Sequence, residues 1–127
     1  MRVMAAQPRR IIVGYDDSEP AQRALDRAAD LAGYGSTLTV VSVTGEGGPM
    51  SVAALDHARE HLLRRHVMAT YLQPVGEPAA ELVGTAHELG ADLVVVGRRS
   101  HSLRRLVLGS VSADVVRSAP CDVLVVS

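Results

Sequence analysis

The 127-residue chain has very few aromatic side chains and a single cysteine. It contains three tyrosines and neither Phe nor Trp, so Val, Leu, Ile and Ala must form the core, and stacking surfaces for single-stranded nucleic acid are scarce. Because Cys121 is the only cysteine, no internal disulfide can form, and a reducing compartment is expected. Cys121 stands in an apolar run without a basic neighbour, which favours a core thiol over a reactive one.

The chain also lacks an excess of charge of either sign and any long apolar segment. Thirteen basic and 14 acidic residues give a formal net charge of −1, so no overall field would attract nucleic acid. No stretch reaches the roughly 20 apolar residues that span a membrane, and the first ten residues lack the apolar segment of a signal peptide. We therefore predict a cytoplasmic protein that binds neither nucleic acid nor membrane, with residues 1–9 as a frayed tail and residues 10–127 as one domain.

Five short apolar runs are typical of strands that are buried on both faces. They lie at residues 11–14, 38–43, 67–72, 93–96 and 123–126. The stretches between them have helical spacing, most clearly at residues 21–32, which follow the capping residues Asp17 and Ser18. Three further helices are predicted at residues 51–65, in a segment that stops at Gly90, and at residues 109–118.

The strict alternation of strands and helices predicts an α/β protein, with a five-stranded parallel sheet between two helical layers. In the flavodoxin-like strand order 3-2-1-4-5, the winding reverses once and the first strand lies beside the fourth. The loops after Gly14 and Val96 then diverge and open a crevice at the edge of the sheet. We predict that a ligand binds in this crevice.

The loop after the fourth predicted strand, residues 97–112, has the chemistry of an anion site. It opens into a helix at Gly109 and Ser110, and a helix start exposes unpaired N–H groups and the positive end of the helix dipole. Four guanidinium groups that suit phosphate oxygens belong to Arg98, Arg99, Arg104 and Arg105. The same residues could instead form an ordinary helix start and a solvated charged face.

Five ordered segments resemble the universal stress protein family. They are residues 13–18 (Val-Gly-Tyr-Asp-Asp-Ser), 76–78, 91–97, 108–112 and 119–126, and the match runs from position 10 to the end of the chain. The resemblance implies a flavodoxin-like fold of the adenine nucleotide alpha hydrolase-like type, a stress-linked role and a homodimer formed through the last strand. Residues 123–126 contain neither Pro nor Lys to protect an exposed sheet edge, which also favours such a partner.

In one subfamily, the resemblance further implies that ATP or another adenine nucleotide, with or without magnesium, binds at the crevice. Asp16 would accept hydrogen bonds from ribose, the backbone near Val41 would face adenine, and the remaining residues would surround the phosphates. The whole predicted site consists of Asp16, Val41, Gly97, Arg98, Ser100, Gly109, Ser110, Val111 and Ser112. Asp16 could equally serve only the turn after the first strand.

This chain departs from the family's ATP-binding pattern, which is Gly, two residues, Gly, nine residues, then Gly and Ser or Thr. Ser100 occupies the second glycine position, and eight residues separate it from Gly109. Two functions therefore stay open. The first is a stress-linked regulator that binds an adenine nucleotide, and the alternative is a dimeric interaction module that binds none.

A second pattern, His57-Ala-Arg-Glu-His61, matches the H-x-x-E-H sequence of inverted zinc metalloproteases. A catalytic zinc needs a third protein ligand and a cleft, so a polar outer helix face is the favoured interpretation. No positioned nucleophile or general base is identifiable in the sequence. We predict a protein that is not an enzyme, although slow ATP hydrolysis is compatible with such a site.

Overall fold

The computed structural model describes residues 9–33, 35–45, 52–98 and 110–127, including all of their side chains except those of Val52 and Ser110. The described residues form five strands and four helices in strict alternation, as predicted. The elements are β1 Arg10–Gly14, α1 Glu19–Leu31, β2 Thr37–Val41, α2 Val52–Arg64, β3 Thr70–Leu72, α3 Pro78–Leu89, β4 Leu93–Gly97, α4 Ser110–Ser118 and β5 Asp122–Val126. None of the described helices is both long enough and apolar enough to cross a membrane.

All neighbouring strands are parallel, and their order across the sheet is β3-β2-β1-β4-β5. This order confirms the predicted flavodoxin-like arrangement. β1 lies in the centre, where Ile12 is opposite Thr39 of β2 on one side and Val94 of β4 on the other. The chain winds outward from β1 to β3 and then crosses back to β4, so the winding reverses between β1 and β4.

Helices cover both faces of the sheet and divide the core into two layers. Ile11 and Val13 of β1 pack with α1 and α2, whereas Ile12 packs with α3 and α4. All three are at most 1% exposed, so β1 is buried on both faces, as its continuous apolar run predicts. Cys121 packs, partly buried, against the layer formed by α3 and α4. Burial and two nearby carboxylates raise the pKa of its thiol, which agrees with the predicted core thiol.

Helix α2 ends in a turn that the sequence pattern does not reveal. His66 has a φ of 58°, in the left-handed region; its N–H donates to Leu63 O, and the Val67 N–H donates to Leu62 O over 2.9 Å. This pair of bonds closes a helix around a left-handed residue, which is usually glycine. Val67 therefore belongs to the end of α2, and β3 begins at Thr70 rather than at position 67 as predicted.

Strand β2 is also shorter than predicted, because it ends at Val41 rather than at position 43. The segments that follow β2 and β3 nevertheless stay in contact. The Ser42 N–H donates to Leu72 O over 3.0 Å, and an isolated parallel bridge joins Thr44 to Val75. β1, β4 and β5 match their predicted bounds to within one residue.

Candidate functional site

A crevice opens between β1 and β4 at the edge where the parallel strands end. The two strands pair side by side, with Val13 opposite Val95, so that Gly14 and Gly97 end at the same edge. The chain leaves β1 toward α1 and leaves β4 toward α4, and these two helices cover opposite faces of the sheet. The loops therefore diverge, as a reversal of the winding predicts.

The predicted site residues that the structure describes lie at the ends of strands or in the segments that follow them. Asp16 follows β1, Val41 ends β2 and Gly97 ends β4. The others are Arg98, directly after β4, and Ser110, Val111 and Ser112 in the first turn of α4. Ser100 and Gly109 lie outside the described residues, as does most of the predicted anion loop.

Asp16 organises the turn between β1 and α1. Its Oδ1 accepts hydrogen bonds from the Ser18 N–H at 3.0 Å and from the Ser18 hydroxyl at 2.6 Å. Ser18 in turn caps α1, because its Oγ accepts a hydrogen bond from the Ala21 N–H at 3.2 Å. The turn role expected for an Asx residue is thus present. The Asp16 side chain is also exposed, and no described residue donates to its Oδ2, which leaves that oxygen available to a ligand.

The turn after β1 is tied to the neighbouring strand β2. The Tyr15 N–H donates to Val41 O over 2.9 Å, and the Val41 side chain is buried in the core. The end of β2 and the turn that carries Asp16 therefore form one hydrogen-bonded unit. The contact between adenine and the backbone near Val41 stays a prediction.

Gly97 is required by the packing of α1 against the end of β4. A Cβ atom at this position would lie 2.7 Å from the Pro20 carbonyl carbon and 2.9 Å from the Pro20 oxygen. These are backbone atoms in the first turn of α1, so they cannot move aside as the end of a flexible side chain can. The family resemblance implies a phosphate contact for Gly97, and the structure adds this packing reason for a glycine.

The chain directly after β4 is bound to both of its neighbours. The Arg98 N–H donates to Val126 O of β5 over 2.7 Å, and Arg98 O accepts a hydrogen bond from the Ser112 hydroxyl at 3.0 Å. Ser112 is only 2% exposed, so this bond fastens the first turn of α4 to the end of β4. The Arg98 side chain is exposed and is the part of that residue that can reach a ligand. Phosphate contacts by Arg98 and Ser112 stay predictions.

A polar connection that the sequence pattern does not reveal joins the turn after β1 to α2. Asp17 has a φ of 70°; its Oδ1 accepts a hydrogen bond from the Tyr15 hydroxyl at 2.9 Å, and its Oδ2 lies 2.7 Å from His57 Nδ1. Burial and the neighbouring Asp17 raise the pKa of the Tyr15 phenol, which keeps the hydroxyl as a hydrogen-bond donor. These residues line a groove of about 290 Å³ between α1 and α2.

The two histidines of the H-x-x-E-H pattern contact different carboxylates of the same neighbouring segment. His57 contacts Asp17, whereas His61 Nε2 lies 2.6 Å from Asp26 Oδ1. Among the residues that the structure describes, no group of three or more His, Cys, Asp or Glu side chains could hold a metal ion. The geometry of α2 therefore gives the zinc interpretation no support.

The strand order and the crevice define a flavodoxin-like α/β protein whose crevice lies at the ends of β1 and β4. Residues 8–127 match the model of the Universal stress protein family, and the chain belongs to this family. The family resemblance found in the sequence is thereby confirmed.

Individual relatives match over nearly their whole length. The chain is 31% identical to universal stress protein YxiE of Bacillus subtilis (strain 168), a match that covers 92% of this chain and 97% of the relative. It is 34% identical to universal stress protein Rv1636 of Mycobacterium tuberculosis (strain ATCC 25618 / H37Rv), with 91% and 94% covered. A solved structure of a universal stress protein in complex with cAMP is 33% identical, with a TM-score of 0.78 and coverage of 94% and 96%.

Proposed function

We propose that this universal stress protein binds an adenine nucleotide in the crevice between β1 and β4 and acts in the cytoplasm as a stress-linked regulator. Occupancy of the crevice would change how the protein contacts a partner. The observation that carries the proposal is that the Asp16 turn follows β1 and the first turn of α4 is bonded through Ser112 to the chain directly after β4, at the edge where β1 and β4 lie side by side. A relative of 33% identity that was solved with cAMP supports the same ligand class.

The two sides of the crevice suit the two ends of a nucleotide. Asp16 offers a carboxylate oxygen to the hydroxyl groups of a ribose, and charge-assisted hydrogen bonds of this kind are among the stronger ones. The positive end of the α4 dipole lies at the start of the helix, which favours a phosphate there. The exposed Arg98 side chain adds a positive charge directly after β4.

The altered glycine pattern weakens this proposal without removing it. If the backbone at Ser100 must be left-handed, a serine costs roughly 1 to 2 kcal/mol relative to glycine. Such a penalty reduces affinity about five- to thirtyfold. A micromolar complex corresponds to about 8 kcal/mol of binding free energy, so binding would remain measurable.

The first experiment identifies the ligand and then tests Asp16. Protein purified without added nucleotide is denatured, and released small molecules are identified by mass spectrometry; ATP, ADP, AMP and cAMP are then titrated by calorimetry. We expect at least one adenine nucleotide to bind, and Asp16→Asn to weaken it about tenfold, because asparagine keeps the turn but loses the charged acceptor. Asp56→Asn, at an exposed position on α2, is the matched control and should bind as the wild type does.

The alternative function is a dimeric interaction module that binds no nucleotide. The altered glycine pattern favours it, as does the sheet edge at β5, where Val123, Leu124, Val125 and Val126 are each only partly buried. If none of the four nucleotides gives heat or thermal stabilisation at millimolar concentration, this alternative replaces the first proposal. Dimerisation through β5 is common to both.

We also propose that the protein binds rather than turns over its ligand. Slow hydrolysis of bound ATP is compatible with the crevice, and a phosphate-release assay with Mg²⁺ and ATP measures it directly. Turnover well below one per second would support a binding role, since typical enzymes work at about 1 to 1,000 per second. Turnover in that enzymatic range would contradict the proposal.

A further inference from the structure

An exposed histidine on α2 is bonded to the turn that carries Asp16. The His57 side chain is 61% exposed, yet its Nδ1 lies 2.7 Å from Asp17 Oδ2, a residue 40 positions earlier in the chain. The other carboxylate oxygen of Asp17 accepts the Tyr15 hydroxyl. Neither the hydrophobic core nor the proposed nucleotide contacts require His57. Its contact therefore acts on the turn after β1.

The conformation of that turn depends on Asp17. A φ of 70° lies in the left-handed region, which is unfavourable for residues other than glycine, although Asp tolerates it better than most. The Asp17 carboxylate is held from both sides, by Tyr15 and by His57. Asp16, the preceding residue, keeps its own carboxylate in place through Ser18. Because Asp17 lies between Asp16 and Ser18, a change in the Asp17 backbone would change the orientation of Asp16.

The contact between His57 and Asp17 changes strength with protonation of the ring. A neutral imidazole N–H already donates a charge-assisted hydrogen bond to a carboxylate, and an imidazolium adds the attraction between two opposite charges, which strengthens the contact. Histidine is the side chain whose charge ordinarily changes between pH 5 and 8. The phenol of Tyr15 stays protonated over this range, because burial and Asp17 raise its pKa.

Titratable and charged groups from both helices line the groove that His57 also lines. Those from the turn after β1 and from α1 are Tyr15, Asp17 and Asp26, and those from α2 itself are Glu60, His61 and Arg64. His61 contacts Asp26 at 2.6 Å rather than Asp17. Only His57 contacts the turn that carries Asp16 among the described histidines.

We propose that the chain of side chains from His57 through Asp17 to Tyr15 makes the crevice sensitive to pH, with protonated His57 holding Asp16 in the orientation that binds a ligand. Ligand affinity then rises as the solution is acidified from pH 8 to pH 5.5. His57 is a positioning residue, since it contacts Asp17 rather than the ligand. The affinity change rests on the proposed nucleotide function, whereas the response of the turn does not.

The first test needs no ligand. In isotope-labelled protein, NMR follows the ring of His57 and the backbone amides of Asp16 and Ser18 from pH 5 to pH 8. We expect both amides to shift with the same midpoint as the ring. This response should vanish in His57→Gln and persist in His61→Gln, a matched change one helical turn away that breaks the contact with Asp26 instead.

Amides that do not follow the His57 ring, or that still titrate in His57→Gln, would overturn the proposal. In the wild type, comparing the midpoint of the His57 ring with the midpoints of the Asp16 and Ser18 amides already tests the proposal. This test does not depend on how well the variant folds. Asp17→Asn provides a second check, since it keeps a hydrogen-bond acceptor for Tyr15 and removes the charge that His57 contacts. We expect the amide response to shrink in that variant.

The second test measures binding of cAMP by calorimetry at pH 5.5 and pH 8. A phosphodiester keeps one negative charge over this range, so a change in affinity reports on the protein. We expect wild type and His61→Gln to bind about three- to tenfold more tightly at pH 5.5, and His57→Gln to bind equally at both pH values. Equal wild-type affinity at both pH values would overturn the coupling to the ligand. Absence of binding at both would count against the proposed function, and the amide titration would then decide the inference alone.

Discussion

At position 97, the packing of a helix that lies far away in the sequence requires glycine. Gly97 ends β4, and the backbone of Pro20 in the first turn of α1 comes within 2.7 Å of where its Cβ would be. Side chains next to a ligand site can often be exchanged, but a backbone contact this close allows no side chain. The start of α1 thereby lies directly against the crevice.

We predict that Gly97→Ala lowers the free energy of unfolding by about 1 to 3 kcal/mol, because the added methyl group forces α1 away from β4. Urea denaturation followed by circular dichroism measures the change. The matched control is Gly84→Ala in α3, where a Cβ meets nothing within 4 Å. There a glycine in a helix is replaced by a better helix former, so stability should rise by about 0.5 to 1 kcal/mol. Equal stability of Gly97→Ala and the wild type would refute the packing explanation.

At the residue scale, the sequence predicts candidates better than it predicts contacts. The family resemblance implies a ribose contact for Asp16, and the structure gives this residue the turn role that the sequence also allows. The contact between Asp17 and His57 was missed, because nothing in the pattern of α1 or α2 states which of several carboxylates meets which histidine. Such pairings depend on how the two helices lie on the sheet, and amphipathic spacing leaves that rotation open.

At the scale of elements, α1 and α2 are joined by a second polar contact further along the helices. Asp26 of α1 lies 2.6 Å from His61 Nε2 and accepts a hydrogen bond from Arg65 at 3.0 Å, and Arg65 also contacts Asp30 at 2.5 Å. Burial alone would raise the pKa of the Asp26 carboxyl. The hydrogen bonds and charges of His61 and Arg65 outweigh burial, so this pKa lies below its usual value of 3.8.

We predict that Asp26→Asn destabilises the protein near pH 7 and that this difference disappears in acid. A carboxyl with a lowered pKa in the folded state contributes stability above its unfolded value of 3.8 and loses it as the pH falls through the lower folded value. Thermal unfolding of both proteins between pH 7 and pH 2.5 should show two curves that approach each other as the pH falls below 3.8. Asp56→Asn, exposed on the same pair of helices, should follow the wild type throughout. A constant difference down to pH 2.5 would contradict the electrostatic origin.

Helix and strand order could be predicted from the sequence, whereas two boundaries could not. Alternating apolar runs and helical spacing, together with the rule that parallel crossovers are right-handed, leave few arrangements for five strands. The start of β3 was misplaced because Val67 has a strand-forming side chain but donates its N–H to Leu62 at the end of α2. Glycine marks the corresponding turn after α3 at Gly90, whereas His66 performs it after α2 without any such signal.

At the scale of the whole molecule, the sheet has two edges that differ in length. β3 contributes three residues to one edge, and β5 contributes five to the other. Because Val126 O accepts a hydrogen bond from Arg98, Val126 faces β4, and the peptide groups of the preceding Val125 point away from the sheet. The β5 edge is therefore the better template for pairing with a second copy of the chain.

We predict that Val125→Pro prevents dimerisation and leaves the protomer folded. Proline removes an N–H that points outward and so costs no bond between β4 and β5. Sedimentation analysis should give a dimer for the wild type and a monomer for the variant, with circular dichroism confirming retained structure. Tyr71→Pro at the opposite edge is the matched control and should remain dimeric. A strictly monomeric wild type would contradict dimerisation, and a dimeric Val125→Pro would move the interface away from β5.

The central position of β1 has a consequence for synthesis of the protein. Arg10 at the start of β1 donates its N–H to Asp92, 82 positions later, beside the strand that completes the pairing of β1. Ribosomes add residues in order, so β1 can join β2 and β3 while its other edge still lacks a neighbour. Contacts between such distant parts of a chain form slowly. The nascent chain therefore carries an open, strongly apolar strand until β4 has also left the ribosome.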